Sequence, residues 1–176
     1  MGLSHRRLSP TKKHRCRQAL YSRLQSLNRI LALSDTHYRS LENMYLSAPI
    51  NTIFPPTIVV AKEAATITLA IKPDYFNAAN AIHGAVYFKL LDDSAVFAAS
   101  SYQSEFVVLT ASFTTDISKP VSKGLVTAVG KVVKVDGKKL YAESIMYNEQ
   151  GDEVAKGHGL FLPSKMRFKD LDCYQI

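Results

Sequence analysis

The sequence has few of the features that mark secreted or metal-binding proteins. Its 176 residues include two cysteines, Cys16 and Cys173, which lie near opposite ends of the chain. Cysteines placed in this way form neither a metal-ligand spacing nor a disulfide framework, which favours a reducing compartment and a metal-free protein. The N-terminus has no apolar segment followed by a small-residue cleavage site, so we expect no secretory signal. These absences together favour a cytoplasmic location.

Long apolar runs and the common nucleotide and hydrolase motifs are also missing. The longest uncharged stretch, residues 43–61, is interrupted by three prolines, so we expect no membrane span there. The chain has no glycine-rich phosphate loop, no zinc spacing and no Ser-His-Asp signature. What is present is a composition that is 47% hydrophobic, in a chain long enough for one domain with a substantial core.

Positive charge is concentrated in the N-terminal arm. Residues 1–40 hold nine Lys/Arg and one acid, whereas residues 41–176 hold thirteen Lys/Arg and fourteen acids. Leucines at helical spacing in the arm predict an amphipathic helix over residues 13–33. Such an arm suits contact with nucleic acid, an anionic surface or a phosphorylated ligand, and its composition also resembles an organelle transit peptide. We favour a solvated helical extension and expect no nucleic-acid partner.

The rest of the chain predicts an α+β domain. Helices are expected from Asp35 to about Leu46 and from His83 to about Tyr102, the second being long and strongly apolar. Strands are expected near residues 57–62, 65–72, 106–117, 124–135, 139–148 and 153–162, the last closed by Pro163. We therefore expect an antiparallel sheet wrapped around one long central helix.

The central helix starts at a His-Gly pair and carries two carboxylates. The segment reads NAANAIHGAVYFKLLDD from Asn77 to Asp93. Backbone N–H donors at a helix start and an isolated carboxylate on an apolar helix are the groups that acyl-transfer chemistry requires. Asp93 has Lys89 four residues before it, at ion-pair spacing, whereas most helical neighbours of Asp92 are apolar. Asp92 is therefore the better candidate for a partly desolvated, functional carboxylate. The alternative is that both acids lie on a solvated flank of the helix.

This order of residues resembles the hotdog-fold thioesterases of the phenylacetate-degradation type, the PaaI-like acyl-CoA thioesterases. In that family an HGG motif opens the central helix and the acid nine residues after the His is catalytic. His83, Gly84 and Asp92 stand at those positions. Asn77 falls at the position of the family's active-site Asn, and Thr110, in VVLTASF, falls where relatives place a Ser or Thr. The later TTDISKPVSKG matches the family's strand, basic residue, Pro and Gly.

The resemblance implies a domain organisation and a mechanism. A hotdog domain would cover residues 41–165, between the arm of residues 1–40 and a tail of residues 166–176. The Gly84 N–H would receive the thioester carbonyl oxygen, and Asp92 would act as general base or as nucleophile. Coenzyme A would enter only as part of the substrate, with no separate cofactor.

The resemblance also implies a shared site in a homodimer, and a dimer of dimers is common among relatives. Asn77 and the His-Gly pair would come from one subunit, and Asp92 and Thr110 from its partner. Asn77 and Thr110 would position the attacking water or the carboxylate.

Other residues near the motif receive supporting roles from the same resemblance. His83 would hold the loop at the helix start rather than act as a catalyst. Lys119 and Lys123 flank a proline turn where coenzyme A phosphates could be met, although solvated loop lysines are the alternative. Ala85 replaces the second Gly of HGG, which puts substrate size in doubt, and Asn80 replaces a frequent Gly in a position that favours positive φ.

Two other functions remain open at this point. A hotdog dehydratase or hydratase would pair a catalytic His with an acid, whereas here the His-Gly pair opens the helix and the acid lies nine residues on, which favours hydrolysis. A non-catalytic acyl-CoA or acyl-carrier binding protein is the alternative of a different class. Asp92 argues against it, and Ala85 keeps it open.

Overall fold

The computed structural model describes residues 35–175, and the helix expected over residues 13–33 lies outside the described residues, as does Cys16. Nearly all of the described residues belong to one compact unit, His37–Ile176. A first helix, α1, includes residues 35–46, and a short helix, α2, follows at Ile50–Ile53. The end of α1 near Leu46 is as predicted, whereas α2 was not expected.

Six antiparallel strands form one sheet in the order β1-β2-β4-β5-β6-β3. The strands are β1 (Thr57–Ala61), β2 (Ala64–Ala70), β3 (Phe106–Ile117), β4 (Leu125–Asp136), β5 (Lys139–Asn148) and β6 (Glu153–Arg167). Alternating burial along β2, β4 and β5 turns one face of the sheet to the core. The strand order leaves β1 and β3 at the two edges of the sheet.

The long helix α3, Gly84–Tyr102, packs against every strand of this sheet. Leu90, Leu91 and Ala95 have no exposed surface. A Cβ atom at Gly130 of β4 would lie 2.1 Å from the Ser94 carbonyl oxygen, so only glycine lets β4 approach the helix backbone this closely. A sheet wrapped around one central helix is the α+β hotdog arrangement that the sequence predicted. Among the described residues, no helix is long and apolar enough to cross a membrane.

The prediction that Pro163 closes the last strand is wrong. Strand β6 runs through Pro163 to Arg167, and Pro163 stands opposite Val108 of β3. The other neighbour of β6, strand β5, has its last paired position at Leu140, opposite Phe161. Proline has no N–H to donate to a neighbouring strand. Beyond Phe161, however, one side of β6 has no neighbouring strand, so Pro163 interrupts no hydrogen-bond ladder there.

Candidate active site

The start of α3 presents an unpaired backbone N–H group. His83 is the N-cap residue, with an extended backbone (φ −66°, ψ 146°), and its Nδ1 accepts the Ala85 N–H at 3.0 Å. The Val86 N–H donates to the His83 carbonyl oxygen at 2.9 Å. Within residues 35–175, the Gly84 N–H has no hydrogen-bond partner. His83 therefore accepts the Ala85 N–H, and the Gly84 N–H remains available at the positive end of the helix dipole.

The loop before α3 is shaped by two asparagines. The Asn77 side-chain oxygen accepts the Ala79 N–H at 2.8 Å, and the Asn77 N–H donates to the Ala81 carbonyl oxygen at 2.8 Å. Asn80 has φ 58°, the positive value that the sequence predicted for this position. The side-chain carbonyl of Asn77 thus stabilises the loop, and the side-chain Nδ2 of Asn77 has no hydrogen-bond partner in the described part of the chain.

A pocket of about 260 Å³ opens beside Gly84, and Asn77 and Lys119 also line it. One wall is held by Tyr87, one turn into α3, whose hydroxyl donates to the Lys119 carbonyl oxygen at 2.9 Å and accepts the Val121 N–H at 3.0 Å. Tyr87 is buried, so this pair of bonds fixes the loop against the helix. The apolar pattern of α3 gave no signal for this role of Tyr87.

Asp92 lies half-buried in the middle of α3. The Thr110 hydroxyl, from β3, lies 2.9 Å from Asp92 Oδ1 and 3.2 Å from Oδ2 and donates to the carboxylate. Burial raises the pKa of Asp92 to about 6, the Thr110 hydrogen bond lowers it, Asp93 raises it and Lys89 lowers it. The structure thus brings together two of the residues singled out from the sequence, eighteen positions apart.

Asp93 forms the ion pair with Lys89 that its spacing predicted. The pair is not solvated, because the side chains of Lys89 and Asp93 are only 12% and 21% exposed. The Tyr45 hydroxyl, from α1, donates to Asp93 Oδ2 at 2.8 Å and receives a hydrogen bond from Lys89 Nζ at 3.3 Å. The flank of α3 next to Asp92 is therefore covered by α1.

Comparison with known proteins shows which family model and which solved structures this chain is similar to. Residues 79–155 match the model of the thioesterase superfamily. The domain has the hotdog fold of the thioesterase superfamily. The structure is similar to that of Escherichia coli PaaI, from the phenylacetic acid degradation operon, with a TM-score of 0.70 and 19% identity over 77% of this chain and 98% of that one. No curated protein matches the chain.

Two further solved structures resemble the hotdog domain. A thioesterase family protein from Silicibacter pomeroyi has a TM-score of 0.65 and 17% identity over 72% of this chain and 96% of its own. A conserved protein from Pseudomonas aeruginosa has a TM-score of 0.63 and 21% identity over 68% and 96% of the two chains. At these identities the similarity establishes the fold, and the chemistry must be argued from the residues of the hotdog domain itself.

The candidate residues of the hotdog domain fall into two separate groups. Asn77 and Gly84 line the pocket at the start of α3, whereas Asp92 and Thr110 do not. Eight residues of helix separate Gly84 from Asp92, which corresponds to about 12 Å along the axis. Within one chain, the Gly84 N–H and the Asp92 carboxylate are therefore too far apart to contact the same reacting group of a substrate.

The three remaining candidates lie at the surface around the first group. Lys119 lines the pocket, and its Nζ is 3.7 Å from Asp152 Oδ1. Lys123 is exposed and does not line the pocket, and Ala85 is exposed in the first turn of α3. Among residues 35–175, no cluster of His, Cys, Asp and Glu is arranged to hold a metal ion.

Proposed function

We propose that the protein hydrolyses acyl-CoA thioesters, with Asp92 as the reacting carboxylate. The observation that carries this proposal is the state of Asp92. Its carboxylate is half-buried and accepts a hydrogen bond from Thr110, and its pKa is raised to about 6. A carboxylate with this pKa is ionised at neutral pH and is more basic than an exposed aspartate, which suits removal of a proton from water. The match of residues 79–155 to the thioesterase superfamily supports the same reaction class.

The chemistry needs one donor and one base. The thioester carbonyl oxygen would accept a hydrogen bond from the Gly84 N–H, and the positive end of the α3 dipole would stabilise the oxyanion that forms. Asp92 would either take a proton from the attacking water or attack the carbonyl carbon itself and form an anhydride that water then opens. In both routes the carbon–sulfur bond breaks and coenzyme A leaves as the thiol.

The separation of the two residue groups supports a site shared between two copies of the chain. The edge strand β3 carries Thr110 and also exposes Leu109 and Ile117, which are 56% and 48% exposed. An open edge with exposed apolar residues favours pairing with a second strand. A homodimer that pairs along β3 would bring Asp92 and Thr110 of one subunit towards Gly84 and Asn77 of the other. Light scattering of the full chain should give at least twice the monomer mass, and a monomer with full activity would exclude the shared site.

Thiol release from short, long and aromatic acyl-CoAs, measured at pH 8, tests the proposed reaction. Asp92→Asn should lower turnover by about two orders of magnitude or more, the range expected for loss of a base or nucleophile. Asp93→Asn removes the neighbouring carboxylate, which would not react with the thioester itself, and it should lower turnover far less than Asp92→Asn does. Equal activity in Asp92→Asn and the parent would overturn the assignment. Binding of acyl-CoA without hydrolysis by the parent would identify an acyl-CoA binding protein instead.

A further inference from the structure

Lys89 has two carboxylates within reach on α3 and binds one of them. Asp92 and Asp93 follow Lys89 by three and four residues, and both spacings allow an ion pair on a helix. In the structure Lys89 Nζ pairs with Asp93 Oδ2, and Asp92 has no ion-pair partner among the described residues. The spacing alone does not decide between the two carboxylates, so a third group must favour Asp93.

Tyr45 is that group. Its hydroxyl donates to Asp93 Oδ2 at 2.8 Å, and Lys89 Nζ donates to the same hydroxyl at 3.3 Å. The ammonium group also lies 5.0 Å from the centre of the Tyr45 ring, a cation–π distance. Tyr45 is 3% exposed and packs edge-on against Phe97, with the ring centres 5.0 Å apart. The ring therefore holds both ends of the ion pair from a fixed position on α1.

We propose that Tyr45 and Asp93 withhold Lys89 from Asp92 and so preserve the basicity of Asp92. They are positioning residues, because they act on the reacting carboxylate through the placement of Lys89. The inference rests on the proposed function only in naming Asp92 as the reacting group.

The charges around Asp92 give the expected sign. Lys89 and Asp93 are the charged groups of the described chain that act on Asp92, while β3 contributes the Thr110 hydroxyl and α1 contributes the neutral Tyr45. A nearer ammonium group stabilises the ionised carboxylate and makes it a weaker base, whereas removal of that ammonium group has the opposite effect. Release of Lys89 and removal of Lys89 should therefore change Asp92 in opposite directions.

Two substitutions in the full chain test this opposition. Tyr45→Phe keeps the ring and its packing but deletes the hydroxyl, so Lys89 and Asp93 lose the group that bridges them and Lys89 can shift towards Asp92. The acidic limb of the kcat/KM profile should move to lower pH by about half a unit or more. Lys89→Met removes the cation and leaves Asp93 unpaired, so the limb should move to higher pH by a similar amount. Arg39→Met is the control, because it removes a cation from the Arg39–Glu42 ion pair on α1 and should leave the limb in place.

Opposite shifts are a result that a purely structural role would not produce, since loss of packing lowers turnover at every pH. Shifts in the same direction, or limbs that do not move in either variant, would overturn the proposal. A carbon-13 NMR titration of the Asp92 carboxyl in the same three variants measures the effect without any reaction. If the parent hydrolysed no thioester, the proposed function would fail, and the titration would still decide whether Tyr45 directs Lys89 away from Asp92.

Discussion

Replacement of Gly84 by proline isolates the contribution of one backbone donor. Gly84 is the first helical residue after the N-cap His83, a position at which proline is well tolerated because its N–H has no partner within the helix. The residue before a proline must be extended, and His83 already has φ −66° and ψ 146°. A Cβ atom at Gly84 would lie in ordinary contact with Ile117 Cδ1, at 3.7 Å, so a side-chain carbon fits at this position. Gly84→Pro should therefore delete the N–H and leave the fold intact.

The expected fall in kcat follows from the small number of free backbone N–H donors at the start of α3. The next N–H, that of Ala85, is taken by His83 Nδ1, and the N–H of Val86 donates to the His83 carbonyl oxygen. With no second free donor beside it at this helix start in the described structure, loss of the Gly84 N–H should lower kcat by about 10²–10³-fold, the range seen when one oxyanion donor is removed. Gly84→Ala keeps the donor and adds one methyl group at an ordinary contact distance, so its rate should stay within about threefold of the parent.

Thiol release at saturating acyl-CoA, with melting temperatures for both variants, completes the experiment. A folded Gly84→Pro variant that turns over like the parent would refute the oxyanion role of Gly84. If Gly84→Ala were as slow as Gly84→Pro, the effect would come from bulk at the helix start and not from the missing N–H.

Two further predictions concern Thr110 and the shared site. Thr110→Val removes the hydrogen bond that lowers the pKa of Asp92, so the acidic limb of the kcat/KM profile should move from near pH 6 to higher pH by about one unit. This size corresponds to the low end of the free energies of hydrogen bonds to charged groups, as expected at an exposed position. The rate should fall about fivefold at pH 6 and recover by pH 8, with Thr110→Ser as the control; a loss that is equal at all pH values would contradict this reasoning. If the site is shared, co-refolded Gly84→Pro and Asp92→Asn chains should regain roughly a quarter of the parent activity, because about half of the dimers are mixed and each has one intact site. Activity of the mixture equal to the average of the two separate variants would contradict a shared site.

Local patterns in the sequence were sufficient to predict the main elements of the domain. The observed β3 and β5, residues 106–117 and 139–148, coincide with the predicted bounds, and α3 starts directly after His83. These segments have strong periodicity and clear turn residues at their ends, such as Gly137 with φ 58°. The end of β6 was missed because the effect of Pro163 depends on where the neighbouring strand β5 stops, which no local pattern records.

The candidate site divides in the same way. Helical spacing indicated that Lys89 can pair with Asp93, as it does in the structure, but the same spacing rule also allowed a pair with Asp92. Tyr45 could not be predicted as a member of this network, since it is 44 residues from Lys89 and 48 from Asp93 and reaches them only through the packing of α1 on α3. Tyr45 is buried in the core, and nothing in the sequence around it indicates the partner of its hydroxyl.

Both halves of the proposed site follow one physical rule: a reactive group stays available because its neighbour is already satisfied. At the start of α3, His83 accepts the Ala85 N–H, while the Gly84 N–H has no hydrogen-bond partner among residues 35–175. In the middle of the helix, Tyr45 and Asp93 hold Lys89, and Asp92 forms no ion pair with any residue of the described chain. A half-buried carboxylate without an ion-pair partner costs folding free energy. Under this proposal, Tyr45 and Asp93 affect activity indirectly, through the basicity of the carboxylate that would react with the substrate.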